Sequence, residues 1–113
     1  MGKTFGWAFY DEQIALINAG DADALVERHY DVDASLVRFD GVVRGHDALK
    51  ALFRNYIQAL GALRIISTEQ FIESDDAVFF EATAETKGLG IVRVYDAFVL
   101  RNGKATHHFT GVK

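Results

Sequence analysis

The chain has no cysteine and no proline among its 113 residues. Without cysteine there is no disulfide, no thiolate nucleophile and no cysteine-based metal site. That composition fits a reducing compartment, and a cytoplasmic location is the expectation. Without proline, linker-like stretches or internal repeats, nothing marks a domain boundary, so residues 1–113 read as one domain. No apolar run approaches the ~20 residues needed to cross a bilayer. The segment Met1-Gly2-Lys3-Thr4-Phe5-Gly6 lacks the apolar stretch of a signal peptide, and Gly6 stands where a myristoylation pattern wants Ser or Thr. No membrane partner is expected. Basic charge is also short. Lys plus Arg is 12 against 16 Asp plus Glu, a net charge of −4, and there is no basic run. Binding to nucleic-acid phosphates needs the opposite balance.

What remains is ordinary globular material, 50% hydrophobic and 25% charged. A domain of this size buries roughly two-thirds of the surface of its unfolded chain, enough for one core.

The pattern changes character midway. Residues 5–18 are helix-compatible, with Trp7, Tyr10, Ile14 and Ile17 on one side. Gly20 is a left-handed stop, and Asp21 caps a short helix over 22–29. Ala34 to Phe39 reads as a short strand, Asp40-Gly41 as a turn and Val42-Val43 as a second strand. Tyr30-Asp31 and Glu27-Arg28 read as a solvated helix end. The clearest helix is 46–60, where Leu49, Leu52, Phe53, Tyr56, Ile57 and Leu60 form one apolar stripe. The second half reads as four strands near 62–73, 76–87, 90–101 and 104–112. Asn102-Gly103 is a strong hairpin signal. Helices followed by an antiparallel meander make an α+β arrangement.

Several local motifs follow this order of elements. They are Ile17-Asn18-Ala19-Gly20-Asp21-Ala22-Asp23-Ala24-Leu25, Asp33-Ala34-Ser35-Leu36, Gly45-His46-Asp47-Ala48-Leu49 with Phe53, and Tyr95-Asp96-Ala97-Phe98-Val99-Leu100 with Asn102-Gly103-Lys104. Together they resemble the nuclear transport factor 2-like superfamily, and within it the SnoaL-like proteins. The resemblance implies a cone-shaped roll or barrel, with amino-terminal helices packed in a curved, mostly antiparallel sheet around an apolar pocket. It also implies dimers through the outer sheet face. Members include isomerases, cyclases, dehydratases, epoxide hydrolases and non-catalytic modules, so the fold does not choose the chemistry. The ketosteroid isomerase pattern needs an Asp base with a Tyr and a protonated Asp as donors. Here Asp96 resembles the protonated Asp, but the Tyr position falls near Gln13 and the base position at Arg38. An isomerase of that type is not expected.

Asp96 is the leading candidate for chemistry, because Val94, Phe98 and Leu100 share its face of the strand. It reads either as a general acid/base in the pocket or as a carboxylate paired with Arg38 or a tyrosine. Arg38 would stabilise negative charge on a ligand, or else lie exposed on its strand. His107 and His108 are consecutive and so face opposite ways; the hairpin register puts His108 and Thr110 inward. His108 and Tyr10 are candidate additional donors. Trp7, Ile14, Phe53, Tyr56, Phe80, Ala82, Phe98 and Thr110 are candidate ligand contacts. His46 reads as a surface or capping residue. No metal-ligand spacing is present, Gly88-Leu89-Gly90 is no phosphate loop, and no serine has a nucleophile's context. No cofactor is expected.

Two functions stand side by side. One is a pocket protein for a small hydrophobic, oxygenated ligand, with acid–base chemistry at a carbonyl. The other is a non-catalytic ligand-binding or dimerisation module using Phe79, Arg93, Tyr95, Val99 and Phe109 on the outer face.

Overall fold

The computed structural model describes residues 4–113. The reading of Met1–Lys3 therefore lies outside the described residues. In chain order the elements are α1 (Phe5–Ala19), α2 (Ala22–His29), β1 (Tyr30–Arg38), β2 (Gly41–Arg44), α3 (His46–Leu60), β3 (Leu63–Glu73), β4 (Ala77–Thr86), β5 (Gly90–Arg101) and β6 (Lys104–Val112).

Local chemistry sets the helix ends. The Thr4 side chain accepts from Trp7 N, and the Glu73 carboxylate accepts from Gly6 N at 3.0 Å. Gly20 closes α1 in the left-handed region at φ 72°, and Asp21 then caps α2 through Ala24 N. The buried face of α1 is Gly6, Phe9, Tyr10, Gln13 and Leu16, turned from the expected one. Trp7, Ile14 and Ile17 are only partly buried on its flank. The reason is that α1 packs against both α2 and the sheet, so its apolar residues are spread around it.

The strand order is β2-β1-β6-β5-β4-β3. All neighbours are antiparallel except β1 and β6. Register shifts in the β1–β6, β3–β4 and β5–β6 pairings bend the sheet over the helices. The sheet is open, with β2 and β3 as its edges, and does not close into a barrel. Asn102 at φ 55° and Gly103 at φ 80° make the expected tight hairpin between β5 and β6. In the β4–β5 turn, Gly88 N donates to Leu60 O at 2.8 Å. A Cβ on Gly88 would lie 1.8 Å from Ala59 O, so glycine is required where this turn seals the end of α3.

β1 departs from the sequence reading. It begins at Tyr30 and ends at Arg38, leaving Phe39 98% exposed in the turn. Tyr30, expected at a solvated helix end, is 0% exposed. Pairing with Ala105 of β6 pulls it into the core. Its neighbours there include Phe98, whose ring also meets Phe9 at 5.0 Å and stacks on His108 at 3.9 Å. Each fully buried aromatic or aliphatic side chain of this core contributes roughly 1.5–3 kcal/mol.

Candidate functional site

The concave side of the sheet and the helices α1 and α3 enclose a cavity of about 170 Å³. Its room comes from small inward residues of β4, Ala82 and Ala84. Its walls are apolar, from Ile14, Leu36, Leu52, Phe53, Phe80 and Phe98. Against them stand the polar side chains of Tyr10, Gln13, Arg38, Tyr56, Asp96, His108 and Thr110. Every expected site residue but one lines this cavity. Trp7 does not: it stacks on Phe71 at 4.0 Å and lines a separate shallow groove between α1 and β3. Its place on the flank of α1 turns it outward from the cavity.

The sheet register builds the centre of the site. Asp96 pairs with Thr110, and Phe98 with His108, so Asp96 and His108 are diagonal neighbours on the inner face. His108 Nε2 lies 2.7 Å from Asp96 Oδ1. The other ring nitrogen, Nδ1, lies 2.8 Å from the Tyr30 hydroxyl. A carboxylate only accepts, so the Nε2 hydrogen faces Asp96, while Nδ1 and the Tyr30 hydroxyl share the second hydrogen bond. With both nitrogens engaged, His108 acts on a ligand only through Asp96. Asp96 Oδ2 has no hydrogen-bond partner among the described residues. Asp96 thus bonds neither Arg38 nor a tyrosine, the two partners considered for a purely structural role.

Arg38 shares the inward parity of Leu36, which pairs with His108, and it stands at the cavity's rim. Its side chain is 44% exposed and pairs with Asp40 at 3.3 Å. Tyr10 shares a 2.9 Å hydrogen bond with Thr68. Tyr56 has no hydrogen-bond partner among the described residues. Its phenol is a free donor within the influence of Asp96.

Three tyrosines surround the carboxylate, and their ionisation is suppressed. Burial raises the pKa of Tyr10, and Asp96 adds to the rise against the Thr68 hydrogen bond. Burial and then Asp96 hold Tyr30 well above the ordinary phenol value. The same two causes push Tyr56 up to about 12. All three remain phenols at neutral pH and can donate. The ring of His29 lies behind this layer, bonded to Gln13 Nε2 at 2.8 Å and to Glu12 at 3.1 Å. Burial lowers its pKa, and the Glu12 carboxylate opposes that only in part.

Sequence reasoning missed Tyr30 and gave Gln13 no role of its own. Tyr30 shares the even-numbered parity of Ala34, Leu36 and Arg38, a signal that could have found it. Gln13 lies one helical turn beyond Phe9 and Tyr10, on the buried face. His46, expected at the surface or as a cap, is partly buried and bonds Tyr30 O at 2.8 Å. Among the described residues, no cluster of three His, Cys, Asp or Glu is placed to hold a metal. No described helix is long and apolar enough to cross a membrane.

Comparison with known proteins gives two positive results. The model of the SnoaL-like domain matches residues 9–108. Solved structures match over nearly the whole chain. A protein of unknown function from Burkholderia pseudomallei, described as NTF2-like, superposes with a TM-score of 0.79 at 16% identity, covering 98% of this chain and 92% of that one. An NTF2-like protein from Anabaena variabilis gives 0.79 at 16% identity, covering 100% and 94%. TerC, co-crystallised with polyporic acid, gives 0.76 at 20% identity, covering 97% and 92%. At these identities the structural likeness shows the fold alone. No curated protein matches the sequence.

Proposed function

The chain belongs to the SnoaL-like domain family, and from that premise we propose that it binds a small carbonyl-bearing organic molecule and moves a proton on it. The observation that carries this reading is Asp96, with one oxygen held by His108 and the other unpartnered in an apolar cavity. Asp96 takes a proton from the carbon beside the carbonyl. The C–H electrons pass to the carbonyl oxygen as an enolate, which Tyr56 O–H and the Arg38 guanidinium stabilise. Protonated Asp96 then returns the proton to carbon, or the enolate carries the reaction on in an isomerase, cyclase or dehydratase sense. Tyr10 closes the wall beside Thr68, and His108 orients the base.

Size narrows the ligand. A cavity of about 150 Å³ with apolar walls holds benzene. The 170 Å³ here fits one ring inside, with any further groups at the mouth beside Arg38. A steroid or fused polyketide is too large to enter whole. The ligand seen with TerC supports a small organic guest for this fold.

The test is a thermal-shift screen with one-ring phenols, cyclic enones and aryl ketones. A ligand at 100 times its Kd stabilises by about 2.7 kcal/mol, roughly 10 °C or more for a small domain. The expected shift is abolished by Asp96→Ala or Arg38→Ala. No shift across the panel would count against a working pocket.

A second reading, compatible with the first, is association of two copies through the convex face. It rests on one row of cross-strand partners, Val42, Val37, Phe109, Ala97, Phe79 and Ile72, which crosses all six strands. Phe109, Phe79 and Ile72 are 40%, 46% and 67% exposed. Val99 is exposed next to this row, and Tyr95 lies across Gly111, with Arg93 beyond. Sedimentation at micromolar concentration is expected to give a dimer that Phe79→Glu dissociates; a monomer throughout would remove this reading. We take the chain as one cytoplasmic domain, on its cysteine-free composition and lack of linkers.

A further inference from the structure

We propose that the molecule held in the cavity is a 2-oxo acid: Arg38 at the rim grips its carboxylate and the carbonyl oxygen beside it, while the group on the far side of the carbonyl fills the apolar interior. This rests on the reading of Asp96 as the proton-transfer group and names the class of substrate it acts on.

Charge is scarce along the cavity wall. Among the described residues, Arg38 is the one Lys or Arg that lines it, and Asp96 the one Asp or Glu. The sheet register sets them in one row. Asp96 pairs with Thr110. Val37 pairs with Phe109, so the next step along these parallel strands sets Arg38 beside Thr110. Two strand spacings of about 4.8 Å therefore separate the Arg38 backbone from that of Asp96. Beyond Asp96 the row continues to Phe80 and Phe71. The inner face thus runs from a cation, past a small hydroxyl residue, to a carboxyl group and then to aromatic rings. A ligand lying along this row has an anionic head, an acidic carbon and an apolar tail, in that order.

Arg38 is open to such a head. It pairs with Asp40 through Nε at 3.3 Å, and the two side chains are 44% and 77% exposed. A pair this exposed contributes little, so a ligand displaces it at small cost. The guanidinium makes no hydrogen bond among the described residues, which leaves its donor fork uncommitted. That fork suits two oxygens side by side. A 2-oxo acid presents a carboxylate oxygen and the carbonyl oxygen in this way, on adjacent carbons. The grip that binds the head therefore also polarises the carbonyl, the part Arg38 plays in the enolate step. At the half-exposed rim the carboxylate keeps part of its hydration. At the inner end it would lie unpaired against Phe80 and Phe98, at a far larger cost.

The chemistry needs no co-reactant. Asp96 takes a proton from C3, and the C–H pair forms the C2–C3 double bond. The carbonyl pair moves onto oxygen, and the proton returns to C3 or passes to that oxygen as the enol.

The test is NMR titration with a matched pair of probes. Phenylpyruvate carries the carboxylate; phenylacetone has a methyl group in its place, with the same ring and CH₂. The wild type is expected to bind phenylpyruvate about 10–100-fold more tightly. In Arg38→Gln that ratio should fall to about one. Asp40→Asn removes the competing carboxylate and should tighten phenylpyruvate about two- to five-fold, with phenylacetone unchanged. It decides the matter should Arg38→Gln fail to fold. No binding of phenylpyruvate, a wild-type ratio near one, a ratio that survives in folded Arg38→Gln, or Asp40→Asn binding phenylpyruvate no better would overturn the proposal. Phenylacetone that gains deuterium through Asp96 without any such preference would leave the proton-transfer reading standing alone. Phenylpyruvate held through Arg38 but exchanging no faster than in buffer would do the reverse.

Discussion

The two faces of strand β5 carry similar side chains and meet different fates. Inward are Val94, Asp96, Phe98 and Leu100; outward are Arg93, Tyr95, Ala97 and Val99. Each set mixes apolar, aromatic and charged groups. On the concave side the polar groups find partners far away in sequence, His108 with Tyr30 and Tyr10 with Thr68. On the convex side they pair in the open, as Arg64 of β3 does with Glu85 of the adjacent β4 at 3.0 Å, and Lys113, just past β6, with Glu81 of β4 across β5 at 3.0 Å. Helices cover the first face, and no element of the described chain covers the second. Alternation along a strand assigns residues to faces, but the covering element decides whether a polar pair is a surface decoration or a shielded site.

The largest contrast is in packing. Phe98→Ala on the inner face should cost about 3–5 kcal/mol in urea unfolding, because the surrounding rings cannot close the hole. Phe79→Ala, on the outer face of the adjacent strand, should cost under about 1 kcal/mol in the monomer. Equal costs would break the distinction. Next comes a single hydroxyl. Tyr30→Phe leaves His108 Nδ1 without its hydrogen-bond partner and should cost about 1–3 kcal/mol. Tyr95→Phe on the outside should change stability by no more than about 0.5 kcal/mol.

The smallest effect is a slope with pH. The folded pKa of His29 is lowered from 6.5. Below that value the unfolded chain takes up the proton more readily than the folded one. The stability contributed by the neutral ring is therefore present above the unfolded pKa and lost as pH falls below it. His29→Gln should flatten this part of the pH–stability curve, measured by urea midpoints. An unchanged slope would place the acid sensitivity elsewhere.

Much of the fold was legible because its signals are local. The stripe of 46–60 and the Asn102-Gly103 turn need no information from distant residues, and α3 and the β5–β6 hairpin lie where they indicate. The inward parity of His108 and Thr110 beside Asp96 needs more than that turn: continued unbroken, the turn's register would pair Phe98 with His107, and the bulge between Val99 and Leu100 shifts it by one residue so that His108 faces in. Tyr30 was misread because its burial comes from a parallel pairing with β6, 75 residues further on, which no local pattern announces. Gln13 escaped for a related reason. A polar side chain on a helix reads as solvent-facing until two histidine- and tyrosine-bearing elements are seen to close over it. Trp7 was over-read, since helical spacing fixes a face but not which neighbour that face meets.

The most direct test of the central claim is deuterium wash-in. One-ring ketones are incubated with the protein in D₂O, and label at the carbon beside the carbonyl is followed by NMR. The account predicts incorporation above the buffer rate, reduced by roughly 10²–10⁴-fold in folded Asp96→Asn. Ketones that bind the cavity yet gain label no faster than in buffer, or an Asp96→Asn variant as fast as the wild type, would contradict it.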